Sequence, residues 1–254
     1  MLRSRIIPSL LVSQGALVKT VNFQEPRYVG DPINAVRIFN DKEVDELIIA
    51  DIQAGITGIG PDFDLLKRIS DECHMPVCYV GGVRNEFDVE RIVSLGIEKV
   101  GFSSSFIVDP ATVGRSADRV GSQSVVVVLD VKSTPHNNGY EVRQRNGQLV
   151  ANRPLVDLVQ DAGRFGAGEL VINSIDREGT GLGYDLILAD QIIDLVGIPL
   201  TFLGGAGSLE HISELLTGRE ALGAAAGSLF TFKGRHRAVL LNYPSHSVIQ
   251  QLGK

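Results

Sequence analysis

The segment ELIIADIQAGITGIGPDFDLL, which begins at Glu46, returns as ELVINSIDREGTGLGYDLIL from Glu169, an offset of 123 residues. Gly81-Gly82-Val83 returns at the same offset as Gly204-Gly205-Ala206, and Ser104-Ser105-Phe106 meets Ser228-Leu229-Phe230 after one inserted residue. Three markers kept in order, two at one spacing and the third one residue further on, make the chain two copies of one structural half. Whatever the first half builds, the second must build again, so the fold needs approximate two-fold internal symmetry.

The pattern within each half narrows the choice. Short β-branched runs bounded by turn residues predict strands at 6–12, 46–51, 76–80, 99–103, 125–131, 169–174, 199–203 and 222–226. Between them DFDLLKRISDE, EFDVERIVSLG, RPLVDLVQDAGRFG and LEHISELLTG carry helical spacing, and glycine often follows as a stop. Strands that alternate with helices must run parallel, joined by right-handed crossovers. Eight such units over 254 residues are expected to close into one (β/α)₈ barrel spanning 1–254 as a single domain, with an open doubly wound sheet as the alternative. A further hairpin is expected in KSTPHNNGYEVRQRNGQLVANR, where NNG and NG separate polar strands.

Charge and cysteine content exclude several classes of function. A formal charge of −6 does not suit a surface built to neutralise nucleic-acid phosphates. The apolar run in MLRSRIIPSLLV is too short to span a membrane and reads as the first strand, so no membrane partner is expected. Cys73 and Cys78 flank a proline and read as reduced thiols, which suits a cytoplasmic protein. The five histidines are scattered without metal-ligand spacing, so neither a metal nor another cofactor is expected.

In a parallel barrel the chemistry lies where the strands end. Gly82 and Ser104 fall there in the first half, Gly205 and Ser228 in the second, with Gly179 and Thr180 after the sixth strand. Glycine admits close backbone approach, and serine at a helix start offers a hydroxyl and an amide to an anion. Two opposed phosphate seats would suit a small molecule phosphorylated at both ends, whereas tight-turn packing would equally require the glycines. Asp130, Asp51 and Asp176 also fall at strand ends as candidate proton-transfer groups, each of which could instead cap a helix or order a loop. Aligning SLLV with VLDV sets Leu11 opposite Asp130, so only one half carries the acid. At the other end of the strands stand Arg5, Glu46, Lys99 and Glu169, which could form a salt-bridge plug or a gate on an axial passage.

RIIPSLLVSQGALVKTVNF, GDP at 30–32, DELIIADI, VGGVR, GSQSVVVVLDVK, SIDREGTGLGYDL and GGAGSLEH together resemble the cyclase subunit of imidazole glycerol phosphate synthase over nearly the whole chain. The resemblance implies a barrel that takes ammonia from a separate glutaminase subunit, carries it along its axis and uses it on a bis-phosphorylated ribulosyl substrate. It casts Lys19 as a flexible-loop lysine and Asp130 as one of two catalytic aspartates. Arg5, Glu46, Lys99 and Glu169 become the ring at the ammonia entrance, and Glu98 and Gln123 match positions that dock the glutaminase. No glutaminase nucleophile is present, since neither cysteine lies in a Gly-x-Cys-x-Gly elbow.

Departures from the family pattern gather on the reactive face. Leu11 stands where the family has its first catalytic aspartate, Val80 where it has the first of three glycines, and Ser103 where it has an asparagine. The resemblance therefore suggests a divergent member that still conducts ammonia but cyclises weakly or not at all, of the kind that supplies nitrogen to a further amidotransferase for amidinating a nucleotide sugar in surface-polysaccharide synthesis. A working histidine-pathway cyclase is the alternative. A scaffold that only stimulates the glutaminase, and an isomerase acting on a related bis-phosphorylated aminoimidazole, are two others.

Overall fold

The computed structural model describes residues 4–135, 139–219 and 221–252. Eight strands form its centre: β1 (Arg5–Ser13), β2 (Leu47–Asp51), β3 (Val77–Val80), β4 (Lys99–Phe102), β5 (Val125–Ser133), β6 (Glu169–Ser174), β7 (Leu200–Leu203) and β8 (Gly223–Ala226). Each pairs in parallel with the next, and β8 returns to β1 through Arg5↔Gly223 to Pro8↔Ala226, which closes a (β/α)₈ barrel. All eight expected strands are present, and closure rules out the open sheet.

Among the described residues, seven helices of seven residues or more pack outside: α1 (Pro32–Asp41), α2 (Phe63–Glu72), α3 (Glu86–Ser94), α4 (Ala111–Val120), α5 (Leu155–Arg164), α6 (Leu186–Ile192) and α7 (Leu209–Leu216). The repeat reappears in how they begin. Asp62 accepts the amide of Leu65 at the start of α2, and its mate Asp185 accepts that of Leu188 at the start of α6. Asn85 and Ser208, mates again, cap α3 and α7. Each cap satisfies an amide that the first helical turn leaves unpaired.

The main core lies between strands and helices, built around Phe39, Leu66, Phe102, Phe106 and Phe230. A smaller apolar layer fills the barrel interior, formed by Ile7, Ile48, Cys78, Val126, Val128, Val171 and Ala225. Because side chains alternate along a strand, the residues in phase with this layer also point inward. That phase directs Arg5, Glu46, Lys99 and Glu169 to the bottom of the barrel and Leu11, Asp130 and Asn173 to the top.

Among the described residues, two hairpins continuous with the barrel sheet rise from the C-terminal face. Ala16–Val21 pairs with Gln24–Gly30 directly after β1. Tyr140–Gln144 pairs with the end of β5 and with Leu149–Val150, and Asn146-Gly147 lies in its left-handed turn. The second realises the hairpin expected after strand five, although Asn137-Asn138 lies outside the described residues. Cys73 and Cys78 are both free thiols.

Candidate functional site

A cavity of about 740 Å³ opens at the C-terminal face. Leu11, Asp51, Val80, Gly82, Ser104, Asp130 and Asn173 contribute to its wall, and the second hairpin leans over it through Arg145 and Asn146. Asp130 stands beside Asn173 in the β5–β6 register and accepts a 2.9 Å hydrogen bond from its Nδ2. Burial pushes the Asp130 carboxyl up to about 7, and the Asn173 bond only partly opposes the rise. Such a group holds or releases a proton near neutrality, the property a general acid or base needs. Leu11 lines the same space with a side chain that transfers no proton.

The other two acidic candidates divide. Asp51 lines the cavity, but its Oδ1 accepts the amides of Gln53 and Ala54 at 2.9 and 3.0 Å. Burial raises its pKa and those amides hold the rise back, so this carboxylate orders the start of a short helix, Ala54–Thr57. Asp176 departs from the expected inward placement. Its Oδ2 accepts the amide and hydroxyl of Ser133, both at 2.7 Å, and the residue forms no part of the cavity wall. The carboxylate is used to tie the end of β5 to the loop after β6.

At the opposite end of the barrel four charges alternate in sign. Arg5 reaches Glu46 at 2.5 Å and Glu169 at 2.8 Å, while Lys99 reaches Glu46 at 2.8 Å and Glu169 at 2.9 Å. Each cation bridges both carboxylates, and each carboxylate bridges both cations. Thr201, which sequence reasoning missed, donates to Glu169 at 2.5 Å. Burial alone would lower the pKa of Arg5 and of Lys99, but the two glutamates reverse that and hold both above their ordinary values. Burial likewise pushes Glu169 up, and Arg5, Lys99 and Thr201 draw it below the usual carboxylate range. These shifts favour the charged forms of Arg5, Lys99 and Glu169, and the paired side chains close the N-terminal end of the axis.

A model of the histidine biosynthesis protein family matches residues 5–237. A Leptospira borgpetersenii protein, provisionally named imidazole glycerol phosphate synthase subunit HisF, is 48% identical over 245 residues that cover 96% of both chains. A Vibrio vulnificus protein with a similar provisional name is 47% identical over 247 residues, 97% of this chain and 95% of its own. One from Pseudomonas aeruginosa is 44% identical over 244 residues, 96% and 97% of the two chains. The chain belongs to the histidine biosynthesis protein family.

In this HisF-like barrel the glycine pairs serve the packing of the loops in both halves alike. A Cβ on Gly81 would lie 2.8 Å from Asp51 O, and one on Gly82 would lie 2.9 Å from the backbone of Gly60. Their mates behave the same way, with Gly204 against Ser174 O at 2.6 Å and Gly205 against Gly183 O at 2.0 Å. Close backbone approach thus explains the glycines without a ligand, and it leaves Gly82 and Ser104 on the cavity wall, where an anion could also reach them. Gly205→Ala is expected to cost about 1–3 kcal/mol, because the added methyl meets a carbonyl that cannot move aside and the residue holds a φ of +107°. Thermal denaturation of the variant measures this, and an unchanged midpoint would contradict it.

The seat in the second half is covered. Gly179 lies under the first hairpin, where a Cβ would sit 2.3 Å from Thr20 O. Asn22 fastens that hairpin by donating to Ile175 O at 3.0 Å and Asp176 O at 2.9 Å, and the Phe23 amide bonds Glu178 at 3.2 Å. Lys19 is tucked beneath it, 4% exposed, with Nζ donating to Ser9 O at 2.8 Å. Burial lowers its pKa to about 8, with Glu178 opposing and Arg237 adding to the fall. Ser228 begins a one-turn helix nearby, where Arg237 approaches its hydroxyl. Glu98 and Gln123 are exposed beside the starts of β4 and β5, on the face that carries the ring.

Proposed function

We propose that this HisF-like barrel is the ammonia-conducting subunit of a glutamine-dependent amidotransferase complex, in which the inherited cyclisation is lost or weak. The observation that carries the reading is the contrast between the two ends of the axis. At the bottom all four members of the charged ring are present and mutually paired, whereas at the top Leu11 shares a cavity with Asp130, so one acid stands where the family chemistry uses two. A separate glutaminase docks on the N-terminal face, with Glu98 and Gln123 near its footprint, and releases ammonia at the ring. The apolar interior between ring and cavity suits neutral ammonia better than a hydrated ion.

Nitrogen that the barrel does not itself consume needs an acceptor. Ile56, Ile59, Val108, Leu149 and Leu182 are exposed in the short helices, hairpin and loops that follow strand ends, an apolar rim suited to a further amidotransferase that aminates a nucleotide sugar for a surface polysaccharide. The cyclase of histidine biosynthesis is the second reading. It is favoured by the roomy cavity, by Gly82 and Ser104 on its wall, and by an Asp130 poised near neutrality. Complementation separates the two. Expressed with its glutaminase in a bacterium that lacks the cyclase subunit, the chain is expected to leave the strain dependent on added histidine. Growth without histidine at the normal rate would overturn the proposal.

A further inference from the structure

A short hairpin outside the barrel sheet follows the one-turn helix after β8, where Phe232–Lys233 pairs with Ala238–Val239. Its root is fixed at the C-terminal face, since the Leu240 amide donates to Thr231 O at 2.9 Å and the Asn242 amide to Phe230 O at 3.0 Å. Lys233, Arg235, His236 and Arg237 crowd its tip, all of them exposed. The Arg237 guanidinium lies over the Phe232 ring at 4.7 Å and leans across to Gly179 O and Ser228 Oγ, both at 3.4 Å. The hairpin is thereby held beside the loop after β6, on the face where the cavity opens.

Elsewhere on the surface Arg37, Arg115 and Arg119 each pair with a carboxylate. Lys233, Arg235 and Arg237 have none within salt-bridge distance among the described residues. Two carboxylates of the neighbouring loop are engaged elsewhere, Glu178 by the Phe23 amide and Asp176 by Ser133. Like charges crowded on one turn repel, and the crowding reaches Lys19, whose charged form Arg237 disfavours. Apolar side chains border the cluster. Val239 and Leu240 are exposed at its base, as are Val21, whose backbone packs on Gly179, and Leu182 in the loop beyond it.

We propose that the hairpin at 232–240 is a docking surface for the acidic face of a second protein, steered by the unpaired cations and held by the apolar side chains beside them. Charge complementarity gives the sign of the occupant, and the setting gives its class. Nucleic acid demands an excess of cations that a chain of formal charge −6 does not supply. An anionic bilayer is recognised by clusters of about four to eight Lys or Arg, more than Lys233, Arg235 and Arg237 provide. A small anion would need a more enclosed seat than an exposed turn. The cluster lies at the opposite end of the barrel from the charged ring, so a protein seated on it stands beside the cavity mouth. On the conducting role proposed above, on which this last step rests, that protein is the enzyme that accepts the nitrogen.

The test needs no glutaminase. The full chain, labelled with ¹⁵N, is titrated with a fluorescein-tagged peptide of glutamates interrupted by leucines, and with a counterpart that carries lysine for glutamate. Anisotropy reads binding, and backbone amide shifts read its place. The acidic peptide is expected to bind saturably and less tightly as salt rises, with shifts confined to 232–240 and the loop around Gly179, and the basic peptide to leave those amides unmoved. Lys233→Glu combined with Arg235→Glu, both exposed, is expected to weaken binding about tenfold or more. Arg37→Glu combined with Arg119→Glu, the same reversal elsewhere on the surface, is expected to leave it in place. No saturable binding, shifts at another site, or binding that survives the reversal at 233 and 235 would overturn the docking surface. Reversal-sensitive binding of equal strength to phosphatidylglycerol vesicles or single-stranded DNA would overturn it in favour of a membrane or a nucleic acid, and a dimer that the reversal breaks would do so in favour of a second copy of this chain. Any of those results leaves the conducting role to be judged separately, by whether labelled glutamine nitrogen reaches the cavity face in the assembled complex.

Discussion

Glu169→Ala is expected to lower the unfolding free energy by about 3–5 kcal/mol at pH 7, the scale for removing one partner from a buried charge network. The loss is large because Glu169 serves three groups at once, bonding Arg5 at 2.8 Å, Lys99 at 2.9 Å and Thr201 at 2.5 Å. Without it two half-buried cations share Glu46 alone at the bottom of the barrel. Glu169→Gln keeps an acceptor for Arg5 and Thr201 and is expected to lose less. The pH dependence follows from the direction of the shift. The folded-state pKa of Glu169 is depressed, so its contribution is complete above the unfolded value of about 4.3 and disappears as pH falls through the folded value. The gap between wild type and Glu169→Ala should therefore be widest at neutral pH and close in strong acid. Urea denaturation at pH 7 and again near pH 3 measures it, and equal midpoints at pH 7 would mean that the ring does not assemble in solution.

The charged ring was legible in the sequence because a lone charge opening an apolar strand has few places to go, and the repeat placed Glu46 and Glu169 at equivalent sites. Strand positions were legible for the same reason: β-branched runs ended by turn residues leave little freedom in register. Asn173 was not singled out, although it stands four residues beyond Glu169 in the same inward phase, because its importance depends on the β5–β6 register that seats it against Asp130. Thr201 lay hidden in PLTFL for a similar reason, since a threonine in a strand is ordinary until a neighbouring strand delivers a carboxylate to it. The hairpin after β1 escaped notice because its turn uses Asn22 and Phe23, both at positive φ, where Asn-Gly would have announced it. Asp176 shows the opposite failure. Its position in sequence suggested an inward carboxylate, but a residue beyond the end of a strand no longer obeys the alternation, and Ser133 draws it sideways.

Leu11→Asp is expected to restore proton transfer in the cavity, with cyclisation rising by roughly 10²–10⁴-fold over the native chain, the range contributed by one positioned acid or base. Leu11 and Asp130 line the same cavity, and burial has already lifted Asp130 to about 7. A second carboxyl beside it would titrate with it as a pair, one member ionising first and the other held protonated by the neighbouring charge. At neutral pH the pair then holds both an acid and a base, which a single aspartate facing leucine does not. The same change removes apolar contact and buries a polar group, at a cost of about 1–3 kcal/mol at pH 7. The sign distinguishes this penalty from simple misfolding. A carboxyl whose folded pKa is raised destabilises the fold above that pKa, and the penalty fades as pH falls toward the unfolded value near 4. The deficit of Leu11→Asp should accordingly shrink between about pH 8 and pH 5, the reverse of the trend in wild-type stability set by Glu169. A deficit that does not change with pH would mean that the introduced carboxylate lies outside the cavity. If the deficit does vary with pH, and a bis-phosphorylated ribulosyl compound binds but is not cyclised, then Leu11 is not what separates this chain from an active cyclase.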